Sequence, residues 1–263
     1  MDTNELPAHI REILRDIRTV AGNLWNREWA ERNAGNMSFN ISDTFDEKDL
    51  PSSKFTEYDF PESAANMTLF ITGKGSRLRS LVDRPEEVSC ILHINQRATG
   101  YYTIWGGNRE DFYPTSELIS HVKIQLSNMT HRADHKAVLH THPLELLVLS
   151  HHPLFQDQAK LNHALWKMCP EIRVFVPRGV WCANYELPSS ESLANVTLEG
   201  LKVSDVVLWE KHGALATGRD MSEAFDFMDV ANKGAKLLLY AWWAGFEPAG
   251  LTDSQMKELE QFI

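Results

Sequence analysis

Apolar residues recur at Ile10, Ile13, Leu14, Ile17, Val20, Ala21, Leu24 and Trp25. That three- and four-residue spacing predicts one long amphipathic helix over 10–29. It should stop near Asn33-Ala34-Gly35-Asn36, where Gly and Asn tolerate left-handed backbone. Alternation of polar and apolar residues over 37–41 predicts a strand. The stretch 42–65 has no period and is rich in Asp, Glu, Pro and Ser, which predicts a surface insertion rather than a linker. Strands follow over 67–72, 88–94 and 100–105, then a helix running to about Met129 from the start signature Pro114-Thr115-Ser116-Glu117.

The second half carries the same two periods. Ala137-Val138-Leu139 leads as a strand into His140-Thr141-His142-Pro143. Helices are expected over 144–150, 158–168, 190–201, 221–244 and 252–263, and strands over 172–176, 180–183, 206–209 and 214–216. Strict strand–helix alternation is missing. The expectation is an α/β fold: a single layered domain over 1–263, with a central, mostly antiparallel sheet flanked by helices. The Trp242-Trp243 pair fits core or interface equally well.

Bulk composition narrows the function classes. The 263 residues are 43% hydrophobic and 24% charged, values of a globular protein. A net charge of −10 argues against nucleic acid or an anionic membrane as partner. No stretch approaches about 20 unbroken apolar residues, so no membrane span is expected. The opening Met1–Ile10 lacks the apolar core of a signal peptide. Cys90, Cys169 and Cys182 have no metal spacing and are expected as thiols in a reducing, cytoplasmic setting.

The candidate chemistry starts at the His-x-His pair. Alternate residues of a strand share a face, so His140 and His142 point the same way and can grip one metal ion. His212, beside Gly213, is the candidate third ligand. Catalytic zinc sites keep three protein ligands and one open position, whereas a structural site would have four. His151-His152 is expected as a surface pair. Glu117 is the candidate proton carrier, or else an ordinary first-turn glutamate. His121, four residues on, shares its helix face and either bonds Glu117 or a ligand or is simply packed. Glycine-bearing turns and helix starts attract anions, and three occur: Asn33–Asn36, Thr72–Ser76 with Lys74, and Thr115-Ser116.

Asn33-Ala34-Gly35-Asn36, Thr72-Gly73-Lys74-Gly75, Thr115-Ser116-Glu117, His140-Thr141-His142 and Lys211-His212-Gly213 resemble, in this order, the motifs of the class II aldolase/adducin family. The resemblance implies zinc-dependent retro-aldol cleavage of a phosphorylated ketose, L-rhamnulose 1-phosphate, to dihydroxyacetone phosphate and L-lactaldehyde, in a homotetramer. It also implies zinc on His140, His142 and His212, with Glu117 as acid/base. Phosphate would lie among Asn33, Gly35, Asn36, Lys74, Gly75, Thr115 and Ser116, and Glu171 would be a second acidic residue near the metal. Lys74 stands where the family carries a small hydroxyl residue. Fuculose-phosphate aldolases, pentulose-phosphate 4-epimerases and a thioribulose-phosphate dehydratase share the motifs around the metal. The non-catalytic adducin head lacks the metal histidines.

Overall fold

A computed structural model describes residues 3–46 and 54–263, so part of the expected 42–65 insertion, residues 47–53, lies outside the described residues. The chain forms two compact units. The first comprises Met1–Leu139 with Gly218–Ser222, and the second His140–Thr217 with Glu223–Ile263.

The first unit runs α1 (Ala8–Asn26), β1 (Asn36–Asn40), β2 (Phe55–Glu57), β3 (Thr68–Thr72), α2 (Pro85–Val88), β4 (Ser89–Ile94), β5 (Gly100–Gly106), α3 (Leu118–His131) and most of β6 (Ala137–Thr141). Its strand order is β2-β5-β4-β3-β1-β6, with β2–β5, β5–β4, β4–β3 and β3–β1 antiparallel. All residues of β1, β3 and β4 are buried, as strands covered on both faces must be. This is why 37–41 does not keep the solvent-facing alternation expected of it. The apolar face of α3, Leu118 and Val122, packs with Leu69 and Ile71 of β3 and Cys90, Leu92 and Ile94 of β4. That packing fixes the start of α3, and with it Glu117. Asp16 of α1 accepts hydrogen bonds from the amides of Met221 and Ser222, 2.9 and 3.2 Å, at the start of a later helix.

The insertion is more than a surface loop. It supplies edge strand β2 and places Phe60 and Ala64 in the core. One three-residue strand and two core positions are too few to leave a period in the sequence.

The second unit holds the end of β6, then α4 (Leu144–Leu149), α5 (Gln158–Trp166), α6 (Pro170–Phe175), β7 (Val180–Ala183), α7 (Glu191–Val203), β8 (Val206–Trp209), β9 (Gly213–Gly218), α8 (Met221–Trp243) and α9 (Asp253–Glu258). Strand order continues β6-β9-β8-β7, with β8–β9 antiparallel and β7–β8 parallel. The fold class is α/β with mostly antiparallel strands. Segment 172–176, expected as a strand, is helix α6 instead. Pro170 stands at its first positions and Glu171 in its first turn, and these start signals override the β-branched run. Trp243 is 87% exposed, and Trp242 stacks on His152 at 4.8 Å, so the pair is not core.

Leu92 is fully buried in the first unit's core and Met129 of α3 is 52% exposed. Leu92→Ala should cost about 3 kcal/mol by transfer and cavity terms, and Met129→Ala less than about 0.5. Urea unfolding of both variants checks this; equal costs would contradict the packing.

Candidate metal centre and acid/base residue

The His-x-His pair sits where β6 ends. His140 is buried in the strand and His142 follows it, half-buried. The third imidazole arrives on a tight connection. Trp209 of β8 pairs with Gly213 of β9, leaving Glu210-Lys211-His212 as the turn. Lys211 takes a left-handed backbone, φ 59°, and its amide donates to Ser150 Oγ at 2.9 Å. Trp209 packs against both His140 and His212, ring centroids 4.4 and 5.0 Å away.

Gly213 is what lets the rings crowd. A Cβ there would lie 2.7 Å from His142 Cδ2, 2.7 Å from the Thr141 carbonyl oxygen and 3.0 Å from His140 Cε1. The close approach therefore excludes any side chain at this position.

His140, His142 and His212 each offer a ligand nitrogen, and these lie within 4.8 Å of one another. Tetrahedral zinc with Zn–N bonds of about 2.0–2.1 Å needs nitrogens about 3.4 Å apart, so modest ring rotations suffice. The protonation pattern fits. His140 Nδ1 donates to the Ala214 carbonyl at 2.9 Å, which assigns the lone pair to Nε2. His212 Nδ1 is buried and has no hydrogen-bond partner. Burial, with His142 nearby, pushes the His212 pKa down to about 4, so this ring is neutral at physiological pH. Three imidazoles suit a divalent transition metal.

Glu117 belongs to the first unit. It occupies the cap position of α3, one residue before the first turn where the sequence suggested it. It is 8% exposed, and its Oε2 accepts a hydrogen bond from Asn36 Nδ2 at 2.8 Å. Asn36 Oδ1 in turn lies 2.6 Å from His121 Nε2. The His121 imidazole thus reaches the Glu117 carboxylate through Asn36, and is not packed idly. Its other nitrogen, Nδ1, is 2.8 Å from Ser38 Oγ, to which Gln125 Nε2 donates at 3.2 Å. Ser38 and Gln125 escaped the sequence analysis. The one trace of Gln125 is the polar stripe Glu117-His121-Gln125 at four-residue spacing on α3.

Two of the expected anion-binding turns lie side by side in this unit. Gly73 pairs with Pro114, the Lys74 amide donates to the Tyr113 carbonyl at 2.8 Å, and the Thr115 amide donates to the Thr72 carbonyl at 2.9 Å. The Met37 amide donates to Thr72 Oγ1 at 3.1 Å, which ties the start of β1 to the same place. Lys74, Gly75 and Ser116 are exposed there, and Thr115 is buried. Ser76 Oγ, at the end of the expected Thr72–Ser76 turn, is buried with no hydrogen-bond partner. Gly35 has φ 80°, the left-handed backbone its turn requires, and Asn33 beside it is exposed. Glu171 belongs to the chain's second unit. It is exposed in the first turn of α6, bonded to the Cys169 thiol and 3.9 Å from Lys233 Nζ. His151 and His152 are exposed, as expected of a surface pair.

An α/β fold with mostly antiparallel strands and a three-histidine cluster at a strand end defines a candidate metalloenzyme. Comparison with known proteins narrows this. The family model for the class II aldolase and adducin N-terminal domain matches residues 15–239, and the chain belongs to that family. Aldolases of this class are metal-dependent lyases of phosphorylated sugars. A rhamnulose-1-phosphate aldolase from Bacteroides thetaiotaomicron is 36% identical, over 96% of this chain and 94% of its own. One from Enterococcus faecalis is 29% identical, over 91% and 86%. The crystal structure of a sugar-phosphate aldolase from Thermotoga maritima aligns with a TM-score of 0.79 at 34% identity, covering 92% of this chain and 100% of that one. Among the described residues, no helix is long and apolar enough to cross a membrane.

Burial pushes the His121 pKa from 6.5 down to about 3. The unfolded chain takes up that proton below pH 6.5 while the folded one refuses it. The contribution is therefore full above pH 6.5 and is lost as pH falls toward 3. Chelator-treated protein should lose about 1.4 kcal/mol through this ring between pH 7.5 and 5.5. Urea unfolding at both pH values should show a smaller loss in His121→Gln; an equal loss would contradict the assignment.

Proposed function

We propose that this protein is a zinc-dependent aldolase that cleaves L-rhamnulose 1-phosphate to dihydroxyacetone phosphate and L-lactaldehyde. The observation that carries the reading is the three-histidine cluster, complete in a chain whose relatives are named rhamnulose-1-phosphate aldolases. His140, His142 and His212 would hold the zinc, which supplies Lewis-acid polarisation of the ketose carbonyl. Glu117, in its acid form, delivers a proton to the carbon that keeps the electron pair when the carbon–carbon bond breaks. In the synthetic direction its carboxylate takes that proton back. The substrate phosphate is assigned to the turns carrying Asn33, Gly35, Lys74, Gly75, Thr115 and Ser116, with Asn36 adjoining. The Lys74 side chain adds a positive charge to this otherwise neutral set.

The two compact units are read as one family domain, because the matched residues 15–239 draw on both. A homotetramer is the assembly proposed. The exposed rings of Tyr240, Trp243 and Phe246 on and after α8 suit a subunit contact. Three free thiols suit a reducing cytoplasm. Glu171 is kept as a secondary acidic group, supported by its position in the motif order alone.

The test is dihydroxyacetone phosphate release from L-rhamnulose 1-phosphate and from L-fuculose 1-phosphate, each with and without chelator. Chelator-sensitive release mainly from the rhamnulose ester is expected. Preference for the fuculose ester would correct the substrate, and no release from zinc-loaded, folded protein would overturn the aldolase reading. Glu117→Gln should keep its zinc and lose at least about 100-fold in turnover. Normal turnover in that variant would remove Glu117 from the mechanism.

A further inference from the structure

Five buried polar side chains of the first unit form one directed chain. Glu117, Asn36, His121, Ser38 and Gln125 are all at most 8% exposed. Asn36 Nδ2 donates to Glu117 Oε2 at 2.8 Å, which leaves the Asn36 oxygen for its other neighbour. Asn36 Oδ1 then faces His121 Nε2 at 2.6 Å, so that nitrogen carries the hydrogen. The neutral ring leaves Nδ1 as an acceptor, and Ser38 Oγ donates to it at 2.8 Å. Gln125 Nε2 donates to Ser38 Oγ and also to the Lys136 carbonyl, 3.2 and 2.9 Å. Within the chain each donor therefore points toward Glu117, and the second bond from Gln125 anchors the far end to backbone.

We propose that Asn36 and His121 are positioning residues for Glu117, holding its carboxylate through a one-way relay that starts at Gln125. The proposal rests on the aldolase reading for its catalytic consequence. It also moves Asn36 from the phosphate to the proton carrier, since both ends of its amide are engaged by Glu117 and His121. The relay acts by geometry. A proton carrier must meet its carbon within hydrogen-bond reach, and a displacement of about 1 Å can cost about 100-fold in rate. Buried hydrogen bonds of this kind hold orientation, and the one partnerless atom, Gln125 Oε1, lies at the far end of the chain from Glu117. Removing the imidazole frees the Asn36 amide to rotate, and removing Asn36 frees the carboxylate.

The test compares zinc-loaded wild type with Asn36→Ala, His121→Phe and His121→Gln, reading kcat and KM for dihydroxyacetone phosphate release and the inhibition constant of inorganic phosphate. Asn36→Ala and His121→Phe should lower kcat about 100-fold and leave phosphate inhibition within about threefold. Gln places an amide N–H near the position of imidazole Nε2, so His121→Gln should recover most of the loss. In a Glu117→Gln background Asn36→Ala should cause no further loss, because there is no carboxylate left to orient. Unchanged kcat in Asn36→Ala and His121→Phe, or weakened phosphate inhibition with kcat retained, would overturn the proposal. Should Asn36→Ala fail to fold, the His121→Phe and His121→Gln pair decides alone. The relay is also readable without turnover, from the ¹⁵N shifts of selectively labelled histidine. His121 should show a protonated Nε2 and a bare Nδ1 at pH 7, and the opposite tautomer would overturn the relay. A wild type with the expected tautomer and no dihydroxyacetone phosphate release would overturn the aldolase reading and support the relay by itself.

Discussion

Three imidazoles meet at the end of β6 only because the chain opposite them has no side chain. Gly213 runs so close to this cluster that a single added carbon would overlap His142 and the Thr141 carbonyl and crowd His140. The rest of the second unit's centre follows from that approach. β9 must pass beside β6 for the Ala214 carbonyl to accept from His140 Nδ1. That bond chooses the tautomer that gives Nε2 its lone pair. The short connection from β8 must turn at Lys211 through a left-handed residue so that His212 enters the cluster. Trp209 then packs against two of the three rings, His140 and His212.

The first unit solves a different problem, which is how to keep a carboxylate both buried and usable. Apolar packing of Leu118 and Val122 against β3 and β4 sets the start of α3. Glu117 sits just before that start, where it would be costly to bury without a partner. Asn36, from the first position of β1, provides the partner. Burial keeps His121 neutral, so the ring can accept from Ser38 and donate to Asn36 at once. A charged ring would have two donors and would break the direction of the chain.

Much of this was legible in the residues, and the limits have physical causes. A two-residue period forces His140 and His142 to one side, so the pair declared itself. His212 was legible because a glycine follows it at a strand end. The α/β class and most helices followed from periodicity over long stretches. Segment 172–176 was not, because Ile172, Val174 and Val176 look like a strand by side-chain type, while Pro170 and Glu171 nucleate a helix. Ser38 and Gln125 were illegible for another reason. Their importance arises only when β1 lies against α3, and a pairing across 87 residues leaves no local mark. Asn36 carried a motif but not its partner. The sequence placed it in an anion-binding turn, and the structure engages its amide with Glu117 and His121.

The central claim is that His140, His142 and His212 form a metal centre on which this aldolase depends. Calorimetric titration of chelator-stripped protein with Zn²⁺, in wild type and His142→Ala, tests it most directly. One tightly bound ion per chain is expected in wild type and its loss in the variant, with both proteins folded. Undiminished zinc binding by His142→Ala, or none by the folded wild type, would contradict it.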